Sequence, residues 1–305
     1  MVEVIIITYN ANKWIHKCLE SVYRTTYPSF TVSVIDNNSI DDTVSIIRSH
    51  FPSVNLIVNS RNLGYAGAIN YGIRAALNRG SEFFAVLNQD IIVSPDWLSS
   101  LMSVFKEYPD YGALFPMQYT YEGDTIDKKY IDVINSNDTF STDYKNNQML
   151  PVYSVNYATG AAFIIKKEII GKVGSLDPHY FLYGEEADYC RRISFYNFLI
   201  GVATRSRVNH WHTQINETDN SILVKFLRFK NPIVYILKDP FHPVPVNIYK
   251  SIVFAIHVVF EDLHPFIILK RLFALVLINI YLLFMLPFIL FYRYREIHNA
   301  HNLYL

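Results

Sequence analysis

The feature that most constrains this chain is an alternation repeated four times in its front third. A short apolar run stops at a polar cluster, and a segment with helical spacing follows. Val2–Thr8 ends at Thr8-Tyr9-Asn10, Thr31–Ile35 at Asp36-Asn37-Asn38-Ser39, Val54–Val58 at Asn59-Ser60-Arg61-Asn62, and Phe83–Leu87 at Asn88-Gln89-Asp90. All four runs read as strands, and Val2–Thr8 and Phe83–Leu87 as buried ones. Between them, Ala11–Thr25 places Trp14, Ile15, Cys18, Leu19 and Val22 on one stripe, and Tyr27-Pro28 closes it. Asp41-Asp42 open a second helix, where acids suit the positive end of the dipole. A small-residue turn, Asn62–Gly67, leads into a third helix over Ala68–Asn78. Such alternation predicts a parallel sheet with right-handed crossovers. All the polar clusters then fall along one rim, the edge where open α/β sheets bind ligands.

Two common uses of such a rim are excluded. No GxGxxG follows the first strand and no GxxxxGK[ST] loop is present, so dinucleotide-dehydrogenase and P-loop readings fail. On residues alone, Asn88-Gln89-Asp90 is either a polar turn or a hard-oxygen site for a divalent cation and a diphosphate. Lys+Arg 27 balances Asp+Glu 27, so no global field recruits nucleic acid. Cys18 and Cys190 lie far apart with no metal or redox spacing, which suits a reducing compartment. Met1 leads directly into VEVIIIT without a basic leader, so synthesis into the cytoplasm is expected.

Farther on, Pro95–Tyr108 reads as a helix and Gly112–Pro116 as a strand. Glu122–Leu150 reads as a polar, irregular excursion, either an acceptor-side loop or a solvated insertion. Thr159-Gly160-Ala161-Ala162 places small residues where the backbone must pass close to something, before a strand at Phe163–Ile165 and a helix at Glu168–Val173. An aromatic run, His179–Tyr183, then meets Gly184-Glu185-Glu186-Ala187-Asp188. A carboxylate at a helix start beneath aromatic rings suits a general base, and neighbouring acids push its pKa upward. The same acids followed by Arg191 and Arg192 also read as a capping cluster. After a strand at Ile200–Thr204, His210 and His212 alternate on an extended segment and point the same way, as chelators or as structural residues.

Taken in order, VEVIIITYN, VIDNNSIDDT, RNLGYAGAINYGI, LNQD and FLYGEEADYCRR resemble the family 2 glycosyltransferases over roughly residues 2–235, in particular the rhamnosyltransferase-like branch. The resemblance implies the α/β GT-A fold, a mostly parallel central sheet flanked by helices, and inverting transfer from a nucleotide-diphospho sugar. It implies that Thr8, Asn10, Asp36, Asn62, Gly64, Asn88 and Asp90 bind the nucleotide sugar. Asp90 and His210, with His212 second, would hold Mg²⁺ or Mn²⁺. Asn88 stands where other members carry Asp, so that position supplies no second charge. Glu186 matches the family's usual base and replaces an Asp, which leaves Glu185 as the alternative. Related enzymes suggest dTDP-rhamnose as donor and a glycan or lipid-linked glycan as acceptor, in cell-surface polysaccharide synthesis. Two other classes compete: a nucleotidyltransferase, and a catalytically inactive membrane-associated binding protein. The first should carry a Gly-rich basic loop after the first strand, and TYNANKW is neither.

The expected organisation is a domain over 1–238, with a nucleotide half at 1–110 and an acceptor and catalytic half at 111–238, followed by an apolar helical region at 239–305. Leu272–Tyr292 is a run of 21 residues without a charge, flanked by Lys270-Arg271 and by Arg293 and Arg295. It can be read as a membrane span, an interfacial helix, or a helix buried in the protein or a dimer. Association with the inner face of the cell membrane is the expectation.

Overall fold

The structure is a computed structural model that describes residues 1–135, 137–211, 221–260 and 265–305. Its front third follows the alternation: β1 (Val2–Thr8), α1 (Ile15–Tyr23), β2 (Phe30–Asp36), α2 (Thr43–His50), β3 (Asn55–Val58), α3 (Gly64–Asn78) and β4 (Phe83–Asn88). These strands stand in the order β3-β2-β1-β4, all parallel. Parallel pairing in register brings Thr8 opposite Asp36 and Ile7 opposite Asn88. The polar ends therefore share one rim. Helix α3 starts at Gly64, four residues ahead of the expected Ala68, because Gly64 adopts φ +75° and turns the chain straight into the helix.

The second half extends the sheet. It comprises β5 (Ile91–Val93), α4 (Trp97–Glu107), β6 (Tyr111–Tyr119), α5 (Lys128–Ile134), α6 (Phe140–Lys145), β7 (Val152–Ser154), β8 (Ala162–Lys166), α7 (Lys167–Val173), a 3₁₀ turn (Pro178–Tyr180), α8 (Glu185–Phe195) and β9 (Leu199–His210). The sheet continues β4-β8-β6-β9-β5, with β8 antiparallel to both neighbours and β6 parallel to β9. One face buries Ile5, Phe84, Phe163 and Ile193; the other buries Ile6, Leu87, Trp97 and Leu101.

Two segments differ from the sequence expectation. The polar excursion 122–150 contains two short helices anchored by the buried Ile126, Tyr130, Ile134 and Phe140. Three of these recur at helical spacing, a signal diluted by the surrounding polar residues. The strand expected to stop at Thr204 runs on to His210, across a register shift opposite Pro116/Met117. Pro116 lacks a backbone N–H, and a bulge beside it lets the ladder continue.

Helices α9 (Ile222–Leu237), α10 (Val244–Phe260) and α11 (Pro265–His298) complete the chain. Ile233, Val234 and Leu237 of α9 pack with Ala255, Ile289 and with Tyr180 of the 3₁₀ turn. Among the described residues, no helix is long and apolar enough to cross a membrane. Leu272–Tyr292 lies inside α11, and several of its side chains fall outside the described residues.

Candidate active site

At the rim, Thr8 Oγ1 donates to Asp36 Oδ1 at 2.9 Å, and both residues are fully buried. Ser39 donates its N–H and its hydroxyl to the same carboxylate. Asn10 has φ 51°, and its Oδ1 accepts from Ile40 N, which ties the first polar cluster to the second. Asn62 Oδ1 accepts from Gly64 N at 2.8 Å, closing the turn that starts α3. Asn37, not singled out from sequence, joins these groups. Its Nδ2 donates to Gly64 O, and its Oδ1 accepts from Asn59 and from Leu63 N. Side-chain amides thus stitch three strand ends into one floor.

The β4 end faces β9. His210 Nε2 lies 3.4 Å from Asp90 Oδ1, since the antiparallel β5–β9 pair sets Ile91 opposite His210. Gln118 Nε2 meets His210 Nδ1 at 3.1 Å, and Thr159 Oγ1 donates to Gln118 Oε1 at 3.2 Å. Asn88 Oδ1 is buried without a hydrogen-bond partner among the described residues. A carboxylate, an imidazole and an orphaned amide oxygen are donors that Mg²⁺ or Mn²⁺ accepts. Among the described residues no group of three or more His, Cys, Asp and Glu gathers, so ligand oxygens and water would fill the rest of a metal shell. His212 lies outside the described residues. Arg207 is turned away: its guanidinium bonds Gly123 O and stacks 4.0 Å over Tyr119.

The acids at the start of α8 sit across the Thr159–Ala161 loop from that pair. Asn88 N donates to Ala161 O, and Tyr65 hydroxyl donates to Gly160 O at 2.6 Å. Gly160 lies against Glu186, where a Cβ would come within 3.2 Å of the Glu186 Cβ. Glu185 is buried and Glu186 partly so, and each has one carboxyl oxygen without a hydrogen-bond partner among the described residues. Burial, then the charge of Glu186, raises the Glu185 carboxyl well above the usual glutamate range. Burial raises Glu186 too, although the backbone at Gly160 and Gly184 and the Tyr157 hydroxyl favour its charged form. Phe115, Phe163, Leu176 and Tyr189 line a small apolar cavity behind Glu186, which accounts for the poor solvation. Burial, then the charges of Glu185, Glu186 and Asp90, raises the Tyr65 hydroxyl well above its ordinary value and holds it protonated.

The loop before the acids is strained. Phe181 and Tyr183 have φ 64° and 69°, and Gly184 follows at 93°. Non-glycine residues in this region cost about 1–3 kcal/mol each and persist where their surroundings fix them. Asn231 of α9 does so, donating to the carbonyls of Tyr180, Leu182 and Tyr183. Asp188 points away from the cleft and pairs with Arg191 and Arg192, both at 2.8 Å. Behind it, buried Lys238 bonds Asp177 at 2.5 Å, Glu296 at 2.6 Å and Tyr304 at 3.0 Å. The C-terminal tail therefore closes an ionic network under α8.

Sequence reasoning missed Gln118, Tyr65, Asn37 and Asn231. All four are ordinary residues whose partners are distant in sequence. The small-residue stretch at Gly160 was a usable signal, because the close approach it required is to Glu186.

Comparison with known proteins gives a family and a fold. The model for Glycosyl transferase family 2 matches residues 3–174. The N-acetylglucosaminyl-diphospho-decaprenol L-rhamnosyltransferase of Mycobacterium tuberculosis is 24% identical over 229 residues, covering 68% of this chain and 75% of that protein. The mannosyltransferase PcManGT from Pyrobaculum calidifontis, solved with GDP-Man and Mn²⁺, superposes with a TM-score of 0.57 at 17% identity, covering 90% of this chain and 74% of that one. TarS residues 1–349 from S. aureus, solved with UDP-GlcNAc, gives 0.57 at 16% identity, covering 81% and 69%. These likenesses establish the GT-A fold.

Proposed function

The chain belongs to glycosyl transferase family 2, and on that premise we propose that it is an inverting, metal-dependent enzyme that moves a sugar from a nucleotide-diphospho sugar to an acceptor hydroxyl. The observation that carries this reading is the Thr159–Ala161 loop, which sets Gly160 against the poorly solvated Glu186 and links Thr159 through Gln118 to His210 beside Asp90. In the proposed reaction Glu186 takes the acceptor proton as the acceptor oxygen attacks the anomeric carbon. The bond from that carbon to the diphosphate oxygen breaks on the opposite face. A raised pKa lets a glutamate accept a proton near neutrality. Glu185 beside it is raised further still, by burial and by the charge of Glu186, and so keeps its own proton.

Asp90 and His210 would hold Mg²⁺ or Mn²⁺, which when bound neutralises charge on the departing diphosphate. The Mn²⁺ in the PcManGT structure supports this reading. Thr8, Asn10, Asp36, Asn62 and Gly64 form the floor proposed for the nucleotide, with Asn88 facing the diphosphate side. The relative named as an L-rhamnosyltransferase acting on N-acetylglucosaminyl-diphospho-decaprenol supports rhamnose as the sugar, with dTDP-rhamnose the donor proposed, and a lipid-linked glycan as acceptor.

We also propose that 239–305 lies on the inner face of the membrane. On α11, Leu272, Val276, Ile280, Phe284, Phe288 and Phe291 recur on one exposed stripe, with Phe284 70% exposed. On α10, Tyr249, Ile252, Val253 and Ile256 do the same. Apolar stripes of this size suit an interfacial helix.

The test is a panel of nucleotide sugars, with and without Mn²⁺, scored for nucleoside diphosphate release and for transfer to a lipid-linked acceptor. Mn²⁺-dependent transfer is expected, and Glu186→Gln should abolish it while nucleotide binding survives. Unchanged turnover in that variant removes the base assignment. Nucleotide binding without turnover of any donor favours the binding-protein reading.

A further inference from the structure

Gln118 is buried (2% exposed) on β6 and belongs to no cluster that sequence reasoning marked. Its amide stands between His210 Nδ1, at 3.1 Å, and the Thr159 hydroxyl, at 3.2 Å. On the far side of the imidazole, Nε2 faces Asp90 Oδ1. The four residues form a chain, Asp90–His210–Gln118–Thr159, that ends on the loop packed against Glu186.

The orientation of the Gln118 amide sets the polarity of this chain. With Gln118 Nε2 donating to His210 Nδ1, the imidazole must carry its proton on Nε2, directed at Asp90. An imidazole that binds a cation through Nε2 must instead carry its proton on Nδ1, and Nδ1 then needs an acceptor. Gln118 can supply one by turning its amide half a revolution, which presents Oε1 to Nδ1 and Nε2 to Thr159. The hydroxyl of Thr159 can accept as readily as it donates. Both arrangements keep the Gln118 contacts to His210 and Thr159. A leucine could serve neither, and a glutamate could serve the metal-binding one alone.

We propose that Gln118 is a positioning residue that sets the His210 tautomer, switching the imidazole between a hydrogen bond to Asp90 and ligation of the divalent cation. Thr159 compensates each switch. The inference rests on the metal reading given above, and it assigns the amide a role that a merely space-filling residue would not have.

The experiment compares the full chain with Gln118→Leu and Gln118→Glu, with melting temperature as a check on folding. Mn²⁺ affinity is read by electron paramagnetic resonance in the presence of a nucleoside diphosphate, and nucleotide affinity is read separately in EDTA. The Gln118→Leu variant should lose about 10–100-fold in Mn²⁺ affinity, the range for removing an outer-shell partner. Gln118→Glu should stay within about threefold of the parent on the same scale. Nucleotide affinity in EDTA should be unchanged in both. In metal-free protein, ¹⁵N-histidine spectra should show His210 with its proton on Nε2 in the parent and a tautomer mixture in Gln118→Leu. Equal losses in both variants, or none in Gln118→Leu, overturn the proposal. A parent that binds no Mn²⁺ overturns the metal reading, while the tautomer spectra still report on Gln118 by themselves.

Discussion

Gly160 packs so closely on Glu186 that a Cβ built at position 160 would lie 3.2 Å from Glu186 Cβ and 3.5 Å from its carboxyl carbon. The backbone at Gly160 also favours the charged form of that carboxyl, and Gly160 O accepts from Tyr65. One residue without a side chain thus fixes how closely the loop approaches the candidate base and adds to the contacts that favour its charged form.

Gly160→Ala must therefore displace Glu186 by a few tenths of an ångström. Small misplacements of reacting groups cost up to about 100-fold in rate. Steady-state kinetics should show kcat falling by about tenfold or more, with nucleotide affinity by calorimetry unchanged. A fall in nucleotide affinity matching the fall in kcat would contradict the assignment of Gly160 to the base.

The glutamate pair carries a cost in stability. Glu185 titrates well above the ordinary glutamate value of about 4.3 in the folded chain. Between those two values the folded chain holds a proton that the unfolded chain has lost. The stability this proton contributes is complete below the ordinary value and disappears as pH rises through the raised one. Glu185→Gln should raise Tm by about a few degrees at pH 8 and leave it unchanged at pH 4. Differential scanning calorimetry at both values checks this.

The same carboxyls predict an activity profile. Glu186 must be ionised to take the acceptor proton, and its pKa is raised. The acidic limb of kcat/KM should therefore lie above the usual carboxylate range, with activity rising as pH rises through it. An acidic limb at the ordinary glutamate value would argue against a base in this environment.

Asn231→Leu removes three hydrogen bonds to the strained Tyr180–Tyr183 carbonyls. Loop strain of about 1–3 kcal/mol per residue would then lack its clamp. We expect faster amide exchange across 180–186 with protection of β1 and β4 unchanged, and a lower kcat. Equal loss of protection throughout would mean that Asn231 acts on global stability alone.

Lys238→Met leaves Asp177 and Glu296 buried without their shared cation. Breaking a buried pair from one side costs about 3–5 kcal/mol. Urea unfolding should register that loss, and substituting Asp177→Asn and Glu296→Gln as well should recover part of it.

Periodicity and turn chemistry in the sequence determine the front half of this protein. The apolar runs ending at Thr8, Asp36, Asn59 and Asn88 make parallel strands, and parallel strands must deliver their polar ends to one rim. The acids in the first turn of α8 are equally legible, since helix starts have few alternatives for consecutive carboxylates. Tertiary structure decided which of these groups meet. Gln118 reaches His210 across 92 residues of sequence, and Lys238 reaches Glu296 across 58. Pairings of that kind depend on strand register and on helices docked from the far end of the chain, and no local pattern encodes them. The sequence placed Asp90 and Glu186 on the chain; folding tied both to one loop, Gly160 against Glu186 and Thr159 through Gln118 and His210 to Asp90.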